Sequence, residues 1–187
     1  PINAIIGFCD LTEKTGISQE QGTNLKRIKD SSEHLLALIK DVIDYSQIES
    51  GKTELKQFPL PLRETLNSVS NAFYLDARSK KIKIAVQVDD DVPDTVKGDK
   101  DAIRQILFNL VGNAVKFTES GKVQISVNVE TPQDNDGRIK LKFSVKDTGI
   151  GISKLKQKLI FMDFTQEHDS STRKYGGAGL GLTISKH

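Results

Sequence analysis

Cysteine occurs once in these 187 residues, at Cys9, methionine occurs once and tryptophan is absent. A single cysteine forms no intrachain disulfide, so the chain must be held by its apolar core and not by covalent staples. Charge of one sign is also lacking. The 27 Lys and Arg against 25 Asp and Glu leave a formal net charge of +2, which offers no argument for a nucleic-acid or membrane surface. No apolar run approaches the ~20 residues that a membrane-spanning helix needs. No secretory leader, internal repeat or low-complexity tract is visible. Hydrophobic residues make up 36% of the chain, enough to pack one ordinary domain and a smaller piece. Cys9, among Ile5, Ile6 and Leu11, reads as a small buried hydrophobe. The lysine-rich stretches Lys80-Lys81 and Lys154 to Lys158 read as solvated faces.

Residues 1–50 carry helical periodicity. A first helix is expected from Pro1 to about Lys14, with Ile2, Ile5, Ile6 and Cys9 on one face and Gly16 as its breaker. A second is expected from Ser18 to Ser50. Ile28, Leu35, Ile39 and Val42 form its stripe, widened by Leu25, Leu36, Ile43 and Ile48. The first helix is too short to cover that stripe. An upstream segment or a second subunit must do so, as in a helix bundle.

Gly51 closes the long helix, and residues 51–61 read as a linker with at most an edge strand before Pro59. From 62 to 187 the pattern becomes mixed. A helix is predicted over Leu62–Ser79, a strand over Ile82–Val88, a turn-rich loop over Asp89–Lys97 and a strong helix over Asp99–Phe117. Val123–Val129 and Ile139–Val145 alternate as an antiparallel hairpin. A short helix near Ser153–Ile160, a polar loop over 164–177 and a last helix from Ala178 complete the chain. The fold class is α+β: a two-helix segment, then an α/β sandwich with helices on one face of a mixed sheet.

Four groups of residues carry chemistry. Asn109 and Asn113 lie four apart on one helix and share a face, with Lys116 and Phe117 a turn later. Amide oxygens suit Mg²⁺, which also keeps water and phosphate ligands, and an ammonium suits phosphate. Alone, the pair could be a solvated stripe. Asp147-Thr-Gly149-Ile-Gly151 ends a strand; its carboxylate can accept from an exocyclic amine, and its glycines admit close backbone approach. Alone, it could be a tight turn. Gly176, Gly177, Gly179 and Gly181 run into the apolar stretch from Leu180, where helix N-terminal amides would suit a triphosphate. No Gly-Lys-Ser/Thr follows and no strand directly precedes, so neither a Walker A nor a dinucleotide fingerprint is present.

Taken in order, these segments resemble the catalytic core of sensor histidine kinases, within the superfamily of gyrase, Hsp90 and MutL ATPases. Asn109 to Thr118 resembles the asparagine box, Asp147 to Gly151 the first glycine box, Phe161 to Gln166 the phenylalanine box and Gly177 to Leu182 the second glycine box. Glu33 to Lys52 resembles the second dimerisation helix. The resemblance implies a partial dimerisation and phosphotransfer hairpin over 1–50, a linker over 51–61 and a Bergerat-type ATP-binding domain over 62–187. It implies ATP and Mg²⁺ as cofactors, with Asn113 as metal ligand. The nucleotide would be met by Asn109, Asn113, Lys116, Phe117, Asp147, Gly149, Gly151, Ile152, Gly177, Gly179, Leu180 and Gly181. Residues 164–177, with Arg173, Lys174 and Tyr175, would form a lid of the kind found in hybrid kinases. Ala178 stands where the family commonly has Thr or Ser.

The resemblance further implies a homodimer through the hairpin, a response-regulator receiver domain as partner and no nucleic acid. The catalytic region would be cytoplasmic, with any membrane anchor in upstream segments. Pro1 to Gly7 resembles the segment just after the phosphoacceptor histidine, which would therefore precede Pro1; the family's final strands would follow His187. His34, His168 and His187 match no phosphoacceptor pattern, so no catalytic residue is assigned within the chain. Two other readings stand beside this one. A gyrase-type ATPase would need a Glu where Asn109 stands, because an amide takes no proton from water. A nucleotide-binding scaffold without chemistry would keep the same pocket.

Overall fold

The computed structural model describes residues 1–51, 55–157, 159–161 and 180–186. Expectations for the phenylalanine box beyond Phe161, the loop 164–177, Ala178, His168 and His187 concern residues outside that set, as do those for Gly177 and Gly179. Two compact units are present; one runs from Pro1 to Thr53 and also takes in the described residues 180–185, and the other runs from Glu54 to Phe161 and takes in Lys186.

In the first unit, α1 (Ile2–Glu13) and α2 (Gln19–Glu49) form an antiparallel hairpin. Ser18 starts α2 with a capping box. Its hydroxyl accepts from the Gln21 amide at 3.2 Å while its own amide donates to Gln21 Oε1 at 2.8 Å, satisfying two N-terminal donors at once. Lys29 Nζ on α2 donates to Asp10 Oδ1 on α1 at 2.6 Å. Cys9 is buried, as expected. Yet Ser32 is the only buried residue of the 31-residue α2. Ile28, Leu35, Leu36, Ile39, Val42 and Ile43 are all between 42% and 50% exposed, so the stripe anticipated from the sequence lacks cover within the described hairpin.

The second unit is built on the three-stranded mixed sheet β2 (Ile82–Val88), β4 (Gly121–Thr131) and β5 (Lys140–Asp147), in the order β2-β4-β5. β2 lies parallel to β4, and β5 is antiparallel to it. Val123, Ile125 and Val127 of β4 are fully buried against α3 (Leu62–Ala72) and α5 (Lys100–Phe117), which contribute Leu62, Leu66, Val69, Leu107, Val111 and Val115. Strict alternation along β4 puts these residues on one face and the polar residues on the other.

Two sequence expectations need correction here. The predicted helix 62–79 is two helices, α3 and α4 (Tyr74–Ser79), parted at Phe73; the Phe73 ring turns inward and packs on that of Phe108 at 5.3 Å. Within the expected linker and loop lie two short strands, β1 (Phe58–Pro61) and β3 (Thr95–Gly98), paired antiparallel. Their signal was weak because two prolines sit in β1, tolerable only where a strand lacks a second neighbour. In the described sheet β4 is the middle strand and β5 has a single neighbour.

Asp99 joins this two-stranded pair to α5. Its Oδ1 accepts from the Asp101 and Ala102 amides at 3.0 Å, capping the helix, and its Oδ2 accepts from the Lys56 amide at 2.9 Å. These amides, Ala102 first and then Lys56, hold the carboxyl below its ordinary value of 3.8. Stabilisation from a lowered carboxyl is complete above 3.8 and is lost as pH falls through the folded value. Asp99→Ala should therefore lower the unfolding free energy by about 1 kcal/mol at neutral pH, with the difference closing in acid. Urea melts of both chains across pH 7 to 3 check this.

Candidate functional site

The site forms where the C-terminal end of α5 meets the loop after β5. Helical spacing places Asn109, Asn113 and Lys116 along one stripe, all half-buried, while Leu107, Val111, Ala114 and Val115 fill the opposite, buried face. The packing that buries the apolar face is what presents the amides. Burial pushes the Lys116 ammonium below its usual pKa, and its Nζ lies 5.0 Å from the centroid of the Phe117 ring. A desolvated ammonium has most to gain from an arriving anion.

Asp147 occupies the last position of β5 and pairs with Val123 in register, which puts it on the helix-covered face of the sheet. Its Oδ1 accepts from the Gly149 amide at 2.8 Å, closing a tight turn, so Oδ2 is left for another donor. The Ile150 amide donates to the Phe117 carbonyl at 3.4 Å, and this bond seats the loop on the helix end. Gly149 is where backbone meets backbone. A Cβ there would fall inside contact distance of the Phe117 carbonyl and 2.9 Å from Asp147 Oδ1. Gly151 has φ +70 with open space around it. On either side of it Ile150 and Ile152 are 72% and 49% exposed, an apolar rim beside the polar group.

Asn109, Asn113, Lys116, Phe117, Asp147, Gly149, Gly151 and Ile152 thus all lie within one unit, the loop joined to the helix end by the Ile150–Phe117 bond. Leu180, buried, and Gly181 open the last helix, after the short α6 (Lys154–Gln157): α7 (Gly181–Lys186), which falls with the helical hairpin in the other unit as far as Ser185. His34 is exposed on α2.

Two supporting residues were missed. Lys80 was read as part of a solvated run, but its Nζ donates to the carbonyls of Val115 and Lys116 at 2.9 and 3.0 Å. A cation there caps α5 at its negative end and fixes the turn that carries Lys116 and Phe117. Only its place directly before a β-strand that follows α4 could have hinted at this. Thr148 donates its amide to the Lys122 carbonyl at 3.2 Å and accepts the Lys122 amide on Oγ1 at 3.0 Å, so it ties the loop to the start of β4.

Known proteins are similar to this chain along its length. Residues 98–187 match the family described as histidine kinase-, DNA gyrase B- and HSP90-like ATPase, and residues 1–51 match the His Kinase A (phospho-acceptor) domain. The signal transduction histidine-protein kinase BarA of Escherichia coli K12 is 40% identical over 186 residues, 100% of this chain and 20% of BarA. The sensory/regulatory protein RpfC of Xanthomonas campestris is also 40% identical, over 100% of this chain and 26% of its own length. The chain therefore spans about a fifth to a quarter of these relatives. Among solved structures, full-length ShkA in complex with AMPPNP superposes with a TM-score of 0.78 at 34% identity, covering 98% of this chain and 36% of ShkA. ThkA in complex with the response regulator TrrA gives 0.59 at 26% identity, over 89% of this chain and 47% of that one.

The contact between Gly149 and Phe117 sets a ranking of glycine substitutions. Gly149→Ala should lower the unfolding free energy by about 1–3 kcal/mol, because overpacking meets backbone that cannot yield. Gly151→Ala should cost about 1 kcal/mol, through its left-handed backbone alone. Urea midpoints of the two variants check the order.

Proposed function

The chain belongs to the sensor histidine kinases and spans their catalytic core, and on that premise we propose that it binds ATP with Mg²⁺ and passes the γ-phosphoryl group to a histidine. An aspartate of a response-regulator receiver domain would take the group next. Residues 1–50 would serve as the dimerisation and phosphotransfer hairpin and 62–187 as the nucleotide domain, working in the cytoplasm. The observation that supports this best is the bond from the Ile150 amide to the Phe117 carbonyl, which seats the Asp147–Ile152 loop on the end of α5, the helix that carries Asn109, Asn113 and Lys116.

Each group has a role in that reading. Asp147 Oδ2 would accept from the adenine amine while Oδ1 keeps the turn closed. Ile152 would lie against the base, and Gly149 and Gly151 would keep the backbone low enough to admit it. Lys116, with Phe117 beside it, would meet phosphate oxygens, regaining the charge stabilisation that burial removes. Among the described residues no three of His, Cys, Asp and Glu gather. Mg²⁺ would thus be held by the Asn113 amide oxygen together with phosphates and water, the oxygen set this ion favours. Gly177, Gly179, Leu180 and Gly181 would close over the triphosphate. Bound nucleotide supplies the phosphoryl group; the protein supplies position and charge. Asn109 cannot act as a base toward water, which favours transfer over hydrolysis.

Two measurements test this. Titration with a fluorescent ATP analogue in Mg²⁺ should show Asn113→Ala and Asp147→Ala each weakening binding at least tenfold, about 1.4 kcal/mol and within the cost of losing a charged or buried hydrogen bond; unchanged affinity in both would remove the assignment. Sedimentation should show the chain as a dimer that Leu35→Asp with Ile39→Asp converts to monomer, since the exposed stripe of α2 is the surface a second copy would cover. A monomer before substitution, or a dimer after it, would overturn the role given to the hairpin.

A further inference from the structure

The face of the sheet that no described helix covers is basic, although the chain as a whole is nearly neutral. Alternation places Lys83 of β2, Lys122 of β4, and Lys140, Lys142 and Lys146 of β5 on the face opposite Val123, Ile125 and Val127, and all five are exposed. One acid joins them: Glu130 Oε2, 2.8 Å from Lys140 Nζ. The other four have no ion pair among the described residues. Between them lie uncharged polar residues, with Gln124 Nε2 donating to Gln87 Oε1 at 2.9 Å. Lys83 stands directly beside Lys122 in register, on strands about 4.8 Å apart. Like charges facing each other across strands cost stability. An anionic surface laid over them would remove that cost.

We propose that this face adsorbs to an anionic lipid bilayer. The face is flat, and Lys83, Lys122, Lys142 and Lys146 spread over roughly 10 by 13 Å, from the strand spacing and the rise per residue. Its cations are all lysine, point charges on long stems, with no arginine fork for bidentate recognition of a defined phosphate or carboxylate. Protein interfaces are depleted in lysine and enriched in arginine and aromatics, and single-stranded nucleic acid is held by aromatic stacking; this face has neither aromatics nor arginine. A layer of anionic headgroups needs only charge. Asp147 and α5 lie on the other face, so adsorption leaves the nucleotide site open.

Flotation of the 187-residue chain with vesicles tests this. The chain should bind phosphatidylcholine–phosphatidylserine vesicles at low salt, lose them as salt rises, and ignore vesicles of phosphatidylcholine alone. Changing Lys83, Lys122, Lys142 and Lys146 to Gln should weaken partitioning by about fivefold per lysine near the surface, with ATP-analogue affinity unchanged as the check on folding. Changing the exposed Lys14, Lys26, Lys40 and Lys97 to Gln removes the same charge and should have a smaller effect. The proposal is overturned by equal binding to neutral vesicles, by equal losses in the two quadruple variants, or by tighter binding to duplex DNA or to an acidic protein than to the charged vesicles.

Discussion

The docking of α5 on the sheet is the constraint from which the site follows. Leu107, Val111, Ala114 and Val115 are buried against Val123, Ile125 and Val127, and that packing leaves no freedom in where the helix ends. The Phe117 carbonyl therefore lies at a fixed point, and the loop after β5 must come to it. Gly149 makes the approach possible and Ile150 makes the bond. Asp99 holds the start of the helix and Lys80 its end, so a charged side chain from outside the helix stands at each terminus. Lys80 bonds the backbone of Lys116 itself, and both residues decide where the candidate nucleotide groups stand.

The helical hairpin obeys the opposite logic. Its α2 carries a long apolar stripe but buries only Ser32. Covering a stripe of this length is favourable roughly in proportion to its area, so the hairpin is shaped for association and not for independence. The capping box at Ser18 and the Lys29–Asp10 contact keep the two helices in register meanwhile. The two units thus divide the work physically: one has a closed core and an open polar site, the other an open core face.

Charge follows the same separation. On the helix-covered side, burial lowers the Lys116 pKa. On the other side, lysines stay exposed and repel one another. Both arise from the two-residue period of the strands, which sends neighbours such as Lys146 and Asp147 to opposite faces.

Much of this was legible in the sequence. Periodicity marked α1, α2 and α5 closely, because long amphipathic helices repeat their signal over several turns, and Ser18 and Gly51 bounded α2. The hairpin of β4 and β5 was equally plain from alternation. Asn109, Asn113, Lys116 and Asp147 stood out because few other chemistries use amides, an ammonium and a glycine-flanked carboxylate in that order. What the sequence did not reveal are relations between distant segments. Strands β1 and β3 are short and find each other only across α3, α4 and β2. Lys80 looked like solvent-facing charge until the fold carried the end of α5 to it. The basic face is written as five separated lysines in a balanced chain and exists only because pairing register aligns them. Local periodicity lies within the reach of a few bonded neighbours, so sequence alone determines it; who meets whom across the core depends on packing, and tertiary structure alone decides that.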